Sequence, residues 1–339
     1  MRGPVLVEIE RGGLVETRHR GAVSIVDCVG TDVYASGDPR PVFLRSAIKP
    51  FVSALVVACG AADAFSMTPE ELAIIGGSHA GLDRDAELVT GLLERIGRTE
   101  ADLINGAAQP SDEATKRRLE CEGEEPSAIR QMCSGEHAGM LSIAVHGGWP
   151  VEGYGKPDHQ VQVAIRQMVD RVFADDEAIE SATDACGVPT FRVPLHTIAR
   201  AFGWMARPER LPDELADLRE SWVRVRDGIL DHPERISGPG QLDTELTATD
   251  RAFIAKEGAE GLLGIGSVAT GLGVAVSIED GDPSRRATSV ATISALSQLG
   301  LLDSDVEGRL RDAHWAPIRD SQGNEVGIAH STVHVPHGD

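Results

Sequence analysis

The stretch Arg45-Ser46-Ala47-Ile48-Lys49-Pro50-Phe51-Val52-Ser53-Ala54-Leu55-Val56-Val57-Ala58-Cys59 decides how the rest of the chain is read. From Ser46 onward its apolar residues run round the whole helical circumference, which describes a helix with no solvent face. Pro50 is tolerated only in the first turn, so Ser46 and Lys49 stand at the helix entrance. Before this point the chain is extended. Val5 to Glu10 alternates, Gly12-Gly13 turns, and a second run ends at Ala22 to Asp27, the pattern of a hairpin. Val33 to Ala35 and Pro41 to Leu44 are short extended pieces around a turn at Gly37-Asp38-Pro39.

After this stretch the reading is helical. Residues 83–96 are amphipathic, 111–122 polar, 135–145 apolar on most sides, 160–173 helical again, and 212–230 long and charged. Thr244 to Ile254 reads as one more helix, ending at the glycine-rich turn that carries Lys256. Beyond Gly238-Pro239-Gly240 strands return. Gly271 to Glu279 precedes the Asp280-Gly281-Asp282 turn, residues 291–302 form a helix, and Trp315 to Asp320 turns through Ser321 to Asn324 into Glu325 to Ala329. Strands at both ends with helices between give an α/β fold. Its antiparallel sheet is built from both termini, about 1–45 and 256–339, with a helical middle lobe over about 46–255, all in one domain spanning 1–339.

With 41% hydrophobic and 25% charged residues, the chain can supply a core and is not disordered. Its formal charge is −21, a surface that repels phosphate backbones and anionic lipid, so nucleic-acid and membrane partners are excluded. No apolar run is long enough for a signal peptide or a membrane span. Five scattered cysteines, Cys28, Cys59, Cys121, Cys133 and Cys186, make no disulfide framework and fit a reducing cytoplasm.

Of the 32 basic residues, only Lys49, Lys116, Lys156 and Lys256 are lysines. Arginine has no accessible neutral form, so a lysine retained among arginines is either drift in an arginine-rich chain or a position where a base is wanted. Lys116 and Lys156 sit among polar neighbours, whereas Lys49 and Lys256 sit in apolar, glycine-rich surroundings.

Ser46-Ala47-Ile48-Lys49 is a Ser-x-x-Lys tetrad, and positions i and i+3 share a helix face, which brings an amine to a hydroxyl. The alternative is a serine N-cap beside a snorkelling lysine. Ser78 and His79 lie in the glycine-rich elbow Gly76-Gly77-Ser78-His79-Ala80-Gly81, which either admits substrate close to the backbone or simply turns a strand into a helix. Cys133 and Glu136 are one turn apart, and Cys186 follows in a loop. Two thiolates and a carboxylate can hold zinc, while buried cysteines are otherwise small hydrophobes. Lys256 either caps the end of its helix or points into the site.

These segments together resemble the rhizobial-type L-asparaginase II amidohydrolases. The matching stretches are Arg45-Ser46-Ala47-Ile48-Lys49-Pro50, Ser78-His79-Ala80-Gly81, Cys133-Ser134-Gly135 with His137-Ala138-Gly139-Met140, Gly147-Gly148-Trp149-Pro150, Cys186-Gly187-Val188-Pro189, His232-Pro233 and Lys256-Glu257-Gly258-Ala259-Glu260-Gly261. The resemblance implies a homodimer with a serine β-lactamase/glutaminase-like fold that hydrolyses asparagine to aspartate and ammonia. It implies two serine–lysine pairs, Ser46 with Lys49 and Ser78 with Lys256, and a metal site on Cys133, position 136 and Cys186. The family tends to lysine at 136, His-Asn at 131–132, glutamate at 82 and arginine at 241. Glu136, Gln131-Met132, Leu82 and Gln241 stand there in this chain.

The expectation is therefore a small-amide hydrolase with Ser46 as nucleophile, Lys49 as a base neutralised by desolvation, and Ser78 with Lys256 as proton relay. Arg45, His137 and Asp184 are candidates for the substrate's α-carboxylate and α-amino groups. Zinc on Cys133, Glu136 and Cys186 is the candidate cofactor, against an empty site with Glu136 either paired to a side chain such as an arginine or His137 or turned to solvent; no organic cofactor is expected. Two alternatives remain: a Ser-x-x-Lys hydrolase of another small amide, and a non-catalytic homologue that binds a metabolite or metal.

Overall fold

The structure, a computed structural model, describes residues 3–336 apart from 28, 30, 38, 39, 174, 176, 177 and 316. Cys28 and the Asp38-Pro39 part of the expected turn thus lie outside the described residues. The chain opens with strands β1 (Val5–Arg11), β2 (Leu14–Val26), β3 (Asp32–Ser36) and β4 (Val42–Phe43). Seven helices follow: α1 (Lys49–Ala58), α2 (Ala61–Ala64), α3 (Pro69–Ile75), α4 (Asp83–Arg95), α5 (Glu113–Glu122), α6 (Ser134–His146) and α7 (Gln160–Val172). Strands β5 (Glu180–Thr183) and β6 (Pro189–Val193) precede α8 (Leu195–Ala206), α9 (Arg219–Asp231) and α10 (Leu242–Ala248). The last part runs through β7 (Phe253–Gly258), β8 (Leu262–Ser267), β9 (Gly273–Ile278), α11 (Arg286–Gln298), α12 (Ser304–His314), β10 (Ile318–Arg319) and β11 (Glu325–Ser331).

The main sheet has the order β10-β11-β1-β2-β9-β8-β7, with β3 also on β2, and every pairing is antiparallel. It joins the two ends of the sequence directly: Ile9 faces Ala329, and Val23 faces Val276. A small sheet, β4-β6-β5, lies apart from it.

Helices cover the main sheet on two sides. α11 and α12 contribute to one apolar core with Ile9, Val23, Val274 and Val276. α8 packs across β2, β8 and β9 and shares a second core with the middle helices. The approach of α8 is close enough to demand glycine: a Cβ on Gly266 would lie 1.9 Å from the Phe202 carbonyl oxygen, and one on Gly273 would lie 1.8 Å from that of Ala199. At the centre of the second core Phe51 meets Phe173, Phe202 and Trp222 edge-on, with centroids 5.2, 5.4 and 5.3 Å away. That packing fixes α1, and with it the position of Lys49.

Two expected elements differ. The helix anticipated over 244–254 stops at Ala248, because Asp250 and Arg251 take positive φ angles of 44° and 58° and turn the chain into β7. Lys256 is consequently a strand residue, paired with Gly264, and not a helix cap. The long helix expected over 212–230 divides into a 3-10 segment, Asp213–Leu218, and α9.

Candidate active site

Ser46 lies in a 3-10 turn, Arg45–Ile48, that runs directly into α1, whose first residue is Lys49. Arg45 just before it has a φ of 47°, a left-handed conformation that an L side chain resists by about 1 kcal/mol or more. Two contacts hold it there: its N–H donates to Thr190 Oγ1 at 3.0 Å, and its guanidinium donates to Asp184 at 2.8 Å. Arg45 and Asp184, both expected to hold substrate, are thus paired with each other.

Lys49 is buried, and its ammonium donates to Ser78 Oγ at 3.0 Å and Cys133 Sγ at 3.1 Å, with Glu136 at 3.6 Å. Burial alone lowers a lysine pKa, but the charges of Cys133, Glu136 and Cys186 outweigh it and raise Lys49 above its ordinary value. Desolvation therefore does not make Lys49 neutral here. The expected pairing also differs: the Lys49 amine reaches Ser78, while Lys49 meets Ser46 through its backbone N–H on the Ser46 carbonyl and by no side-chain hydrogen bond among the described residues.

Lys256 is equally buried. Its three N–H groups meet three acceptors: Glu257 O at 3.0 Å, Ser237 Oγ at 3.2 Å and Asp243 Oδ2 at 3.2 Å. Burial lowers its pKa, which Asp243 only partly opposes. Ser78, its expected partner, is held instead by the backbone, its N–H donating to Ile236 O at 2.5 Å, one residue before Ser237. Sequence reasoning missed Ser237 and gave Asp243 no role. An acid at 243 could have been suspected from the need to compensate a buried lysine.

A cavity of about 110 Å³ is lined by Arg45, Ser46, Lys49, Asp184 and the trio Cys133, Glu136 and Cys186. A wider cleft of about 800 Å³ shares Arg45 and Ala259 with it but contains neither serine–lysine pair. Ser46 and Lys49 both line the smaller space.

The trio's ligand atoms all lie within 4.8 Å of one another, and all three residues are buried. Cys133 is pushed toward the thiolate by a hydrogen bond from Cys186, against burial, and by the Lys49 charge; Cys186, as the donor, is pushed up. Burial raises Glu136 to about 7 despite Lys49. Two sulfurs and an oxygen converging in a buried, anion-rich spot fit a zinc ion. The Lys49 ammonium already lies against two of them and offsets part of the same charge.

His79 and His137 are fully buried, and burial, reinforced by the Lys49 charge, lowers both to about 3. His79 bonds Ser134 Oγ at 2.8 Å and accepts from the Gly81 N–H at 3.2 Å. His137 Nδ1 is 2.6 Å from the Tyr154 hydroxyl. Neither histidine lines the cavity.

The mixed α/β fold carries two buried lysines beside serines, and one of them, Lys49, lines a small cavity with Ser46, an arginine and a carboxylate. The chain belongs to the L-asparaginase II family, whose model matches residues 7–331. No curated protein matches it. Among solved structures it is similar to Mglu in its native form, at 15% identity over 84% of this chain and 66% of that one, with a TM-score of 0.37. It is also similar to Mglu in its tris and glutamate form, at 16% identity over 89% and 65%, with a TM-score of 0.36. The chain thus spans about two thirds of the length of those proteins. No helix among the described residues is long and apolar enough to cross a membrane.

Proposed function

We propose that the protein hydrolyses the side-chain amide of asparagine through an acyl-enzyme on Ser46. The observation that carries this reading is the convergence of Ser46, Lys49, Arg45 and Asp184 on one small cavity, with Ser78 3.0 Å from the Lys49 amine. Ser46 Oγ attacks the amide carbonyl and passes its proton to Lys49. The C–N bond breaks, and ammonia leaves with a proton delivered through Lys49 and Ser78. Water then attacks the ester, its proton returning to Ser46 by the same route. Lys49 must be neutral to take the Ser46 proton, whereas the charges of Cys133, Glu136 and Cys186 beside it favour its ammonium form. Arg45 would take the substrate's carboxylate and Asp184 its ammonium, in exchange for their mutual contact. Lys256, with Asp243 and Ser237, supports the Ser78 segment.

Cys133, Glu136 and Cys186 are the residues that would hold zinc. When bound there, zinc would supply positive charge beside the cavity. The proposal also takes residues 1–339 as one unit with a serine β-lactamase/glutaminase-like fold, supported by the antiparallel sheet with α8 on one side and α11 and α12 on the other, and as a homodimer.

Ammonia release from asparagine, glutamine and other small amides tests the reading. Turnover of asparagine that is lost in Ser46→Ala supports it, and turnover of only another amide replaces the substrate. A second reading has one observation in its favour: the charges that keep Lys49 protonated also suit a non-catalytic binder. Absence of turnover on every amide selects that reading.

A further inference from the structure

The elbow that carries Ser78 lies in backbone contact with a second segment, Arg235 to Gly238. The Ser78 N–H donates to Ile236 O at 2.5 Å. A Cβ on Gly77 would lie 2.2 Å from the Arg235 carbonyl oxygen, and one on Gly238 would lie 2.5 Å from the Ala80 Cβ. A glycine at each end of the contact permits that approach.

This strap is fixed at both ends. At Ser237 the N–H donates to Thr244 Oγ1 at 3.1 Å and the hydroxyl to Asp243 Oδ2 at 2.7 Å, within the network of Lys256. At Arg235 the guanidinium donates to Asp85 Oδ1. Asp85 is fully buried, and Arg235 is 7% exposed. The other Asp85 oxygen accepts from the Leu82 N–H at 2.9 Å, at the exit of the elbow. One carboxylate thus ties the strap to the chain that continues from Ser78. Glu234 and Glu70, 3.3 and 3.4 Å from Arg235 Nε, take another side of the guanidinium. A rigid fork of donors can meet carboxylates on two sides at once, which a lysine ammonium, a point charge, does less well.

We infer that Arg235, acting through Asp85, is a positioning residue for Ser78. The pair holds the strap on the elbow, and the strap holds the Ser78 hydroxyl 3.0 Å from the Lys49 amine. Neither Arg235 nor Asp85 lines the small cavity, so the effect is exercised through the backbone. A buried ion pair adds little net stability over a well-packed apolar pair, so its use here fits a geometric task. The inference rests on the amidohydrolase reading for the part Ser78 plays in the chemistry, while the hold on Ser78 does not.

The test uses the full chain and the double variant Asp85→Asn/Arg235→Met, which removes both charges of the buried pair. With asparagine it should lower kcat about 30-fold with KM within about threefold, since displacing a reacting group by about 1 Å costs up to about 100-fold. Ser78→Ala alone should lower kcat about 100-fold. Adding the double variant to Ser78→Ala should then cost less than about threefold more, because no hydroxyl is left to place. A purely stabilising pair would change kcat by the same factor in both backgrounds. Hydrogen exchange gives a second readout: the Ser78 amide should exchange at least about tenfold faster in the double variant, with the α1 amides unchanged. A kcat within about threefold of wild type in the folded double variant, or the full loss repeated on top of Ser78→Ala, overturns the inference. Should the double variant fail to fold, Arg235→Lys keeps a cation for Asp85, and a Ser78 amide as protected there as in wild type overturns it. A wild type that turns over no amide refutes the amidohydrolase reading, and exchange at Ser78 alone then decides whether Arg235 holds the elbow.

Discussion

Lys49 and Lys256 are each about 1% exposed, yet their surroundings drive them in opposite directions. Lys49 faces the Cys133 sulfur at 3.1 Å and the Glu136 carboxyl at 3.6 Å, with one donor left on the Ser78 hydroxyl, and the charges of Cys133, Glu136 and Cys186 raise its pKa. Lys256 faces one carboxylate, Asp243, with a hydroxyl and a carbonyl taking its other donors, and its pKa falls. Burial is the same in both. What differs is how many negative groups share the space, and Lys49 itself adds to the depression of Lys256. The lysine that lines the cavity is thus the harder one to deprotonate, and Lys256 does not line it.

The largest expected effect breaks or confirms that division. Ser46→Ala and Lys49→Arg should each reduce ammonia release at least about 1000-fold, because arginine stays protonated and cannot take the serine proton. Lys256→Arg keeps a cation for Asp243 and should lose less, about 100-fold. Equal losses for the two arginine variants would remove the distinction. Lys49→Arg within tenfold of wild type would take Lys49 out of the proton path.

Stability should divide the same two regions. Asp243 accepts from Ser237 at 2.7 Å, Lys256 at 3.2 Å and the Glu257 N–H at 3.0 Å, so Asp243→Asn leaves a buried ammonium uncompensated. A loss of about 3 kcal/mol is expected in urea melts. Glu136→Gln should cost less than about 1 kcal/mol, because burial already raises Glu136 to about 7 and Lys49 keeps its contact with Cys133. The reverse ranking would mean that Glu136, and not Asp243, carries the main buried ion pair.

Metal uptake sharpens the contrast further. Protein purified without chelator should carry near-stoichiometric zinc by elemental analysis, and Cys133→Ser should lose it. At a hundredfold excess over the dissociation constant, zinc should add about 2.7 kcal/mol to wild-type stability. Less than about a tenth of an equivalent, with no change in melting on adding zinc, would leave Cys133 and Cys186 as packing residues.

Much of this was legible in the residues. The hairpin over β1 and β2 was readable because Gly12-Gly13 separates alternating runs, and α1 because its apolar residues surround Pro50 and Lys49. The rarity of lysine pointed to the two that are buried. The partners of those lysines were not legible. Lys256 was read at a helix end because Thr244 to Ile254 has helical periodicity, whereas its strand character comes from pairing with β8, a contact between segments. α8 had no counterpart in the sequence reading, although it fills the space above Gly266 and Gly273. The charge state of Lys49 depends on Cys133, Glu136 and Cys186 arriving from two separate segments, which no local pattern encodes.

The smallest expected effect is a pair of opposite pH slopes, one from each region. His79, adjacent to Ser78, is lowered to about 3 by burial and then by the Lys49 charge. Its folded pKa lies below its unfolded value, so the stability it contributes is present above about 6.5 and is lost as pH falls toward 3. Glu257, adjacent to Lys256, is raised to about 7 by burial and then by Asp243, with Arg285 at 3.3 Å offsetting only part. Its contribution is present below about 4.5 and is lost as pH rises through 7. Thermal melts from pH 4.5 to 8 should therefore separate the two. His79→Gln should flatten the decline below pH 6.5, and Glu257→Gln should flatten the decline toward pH 8, each by about 2 °C. Only the slopes bear on the matter, since His79→Gln also loses the Ser134 bond and lowers stability at every pH. A Glu257→Gln slope identical to wild type would show that Arg285 holds Glu257 ionised, and the region around Lys256 would then carry one more charge than the contrast with Lys49 allows.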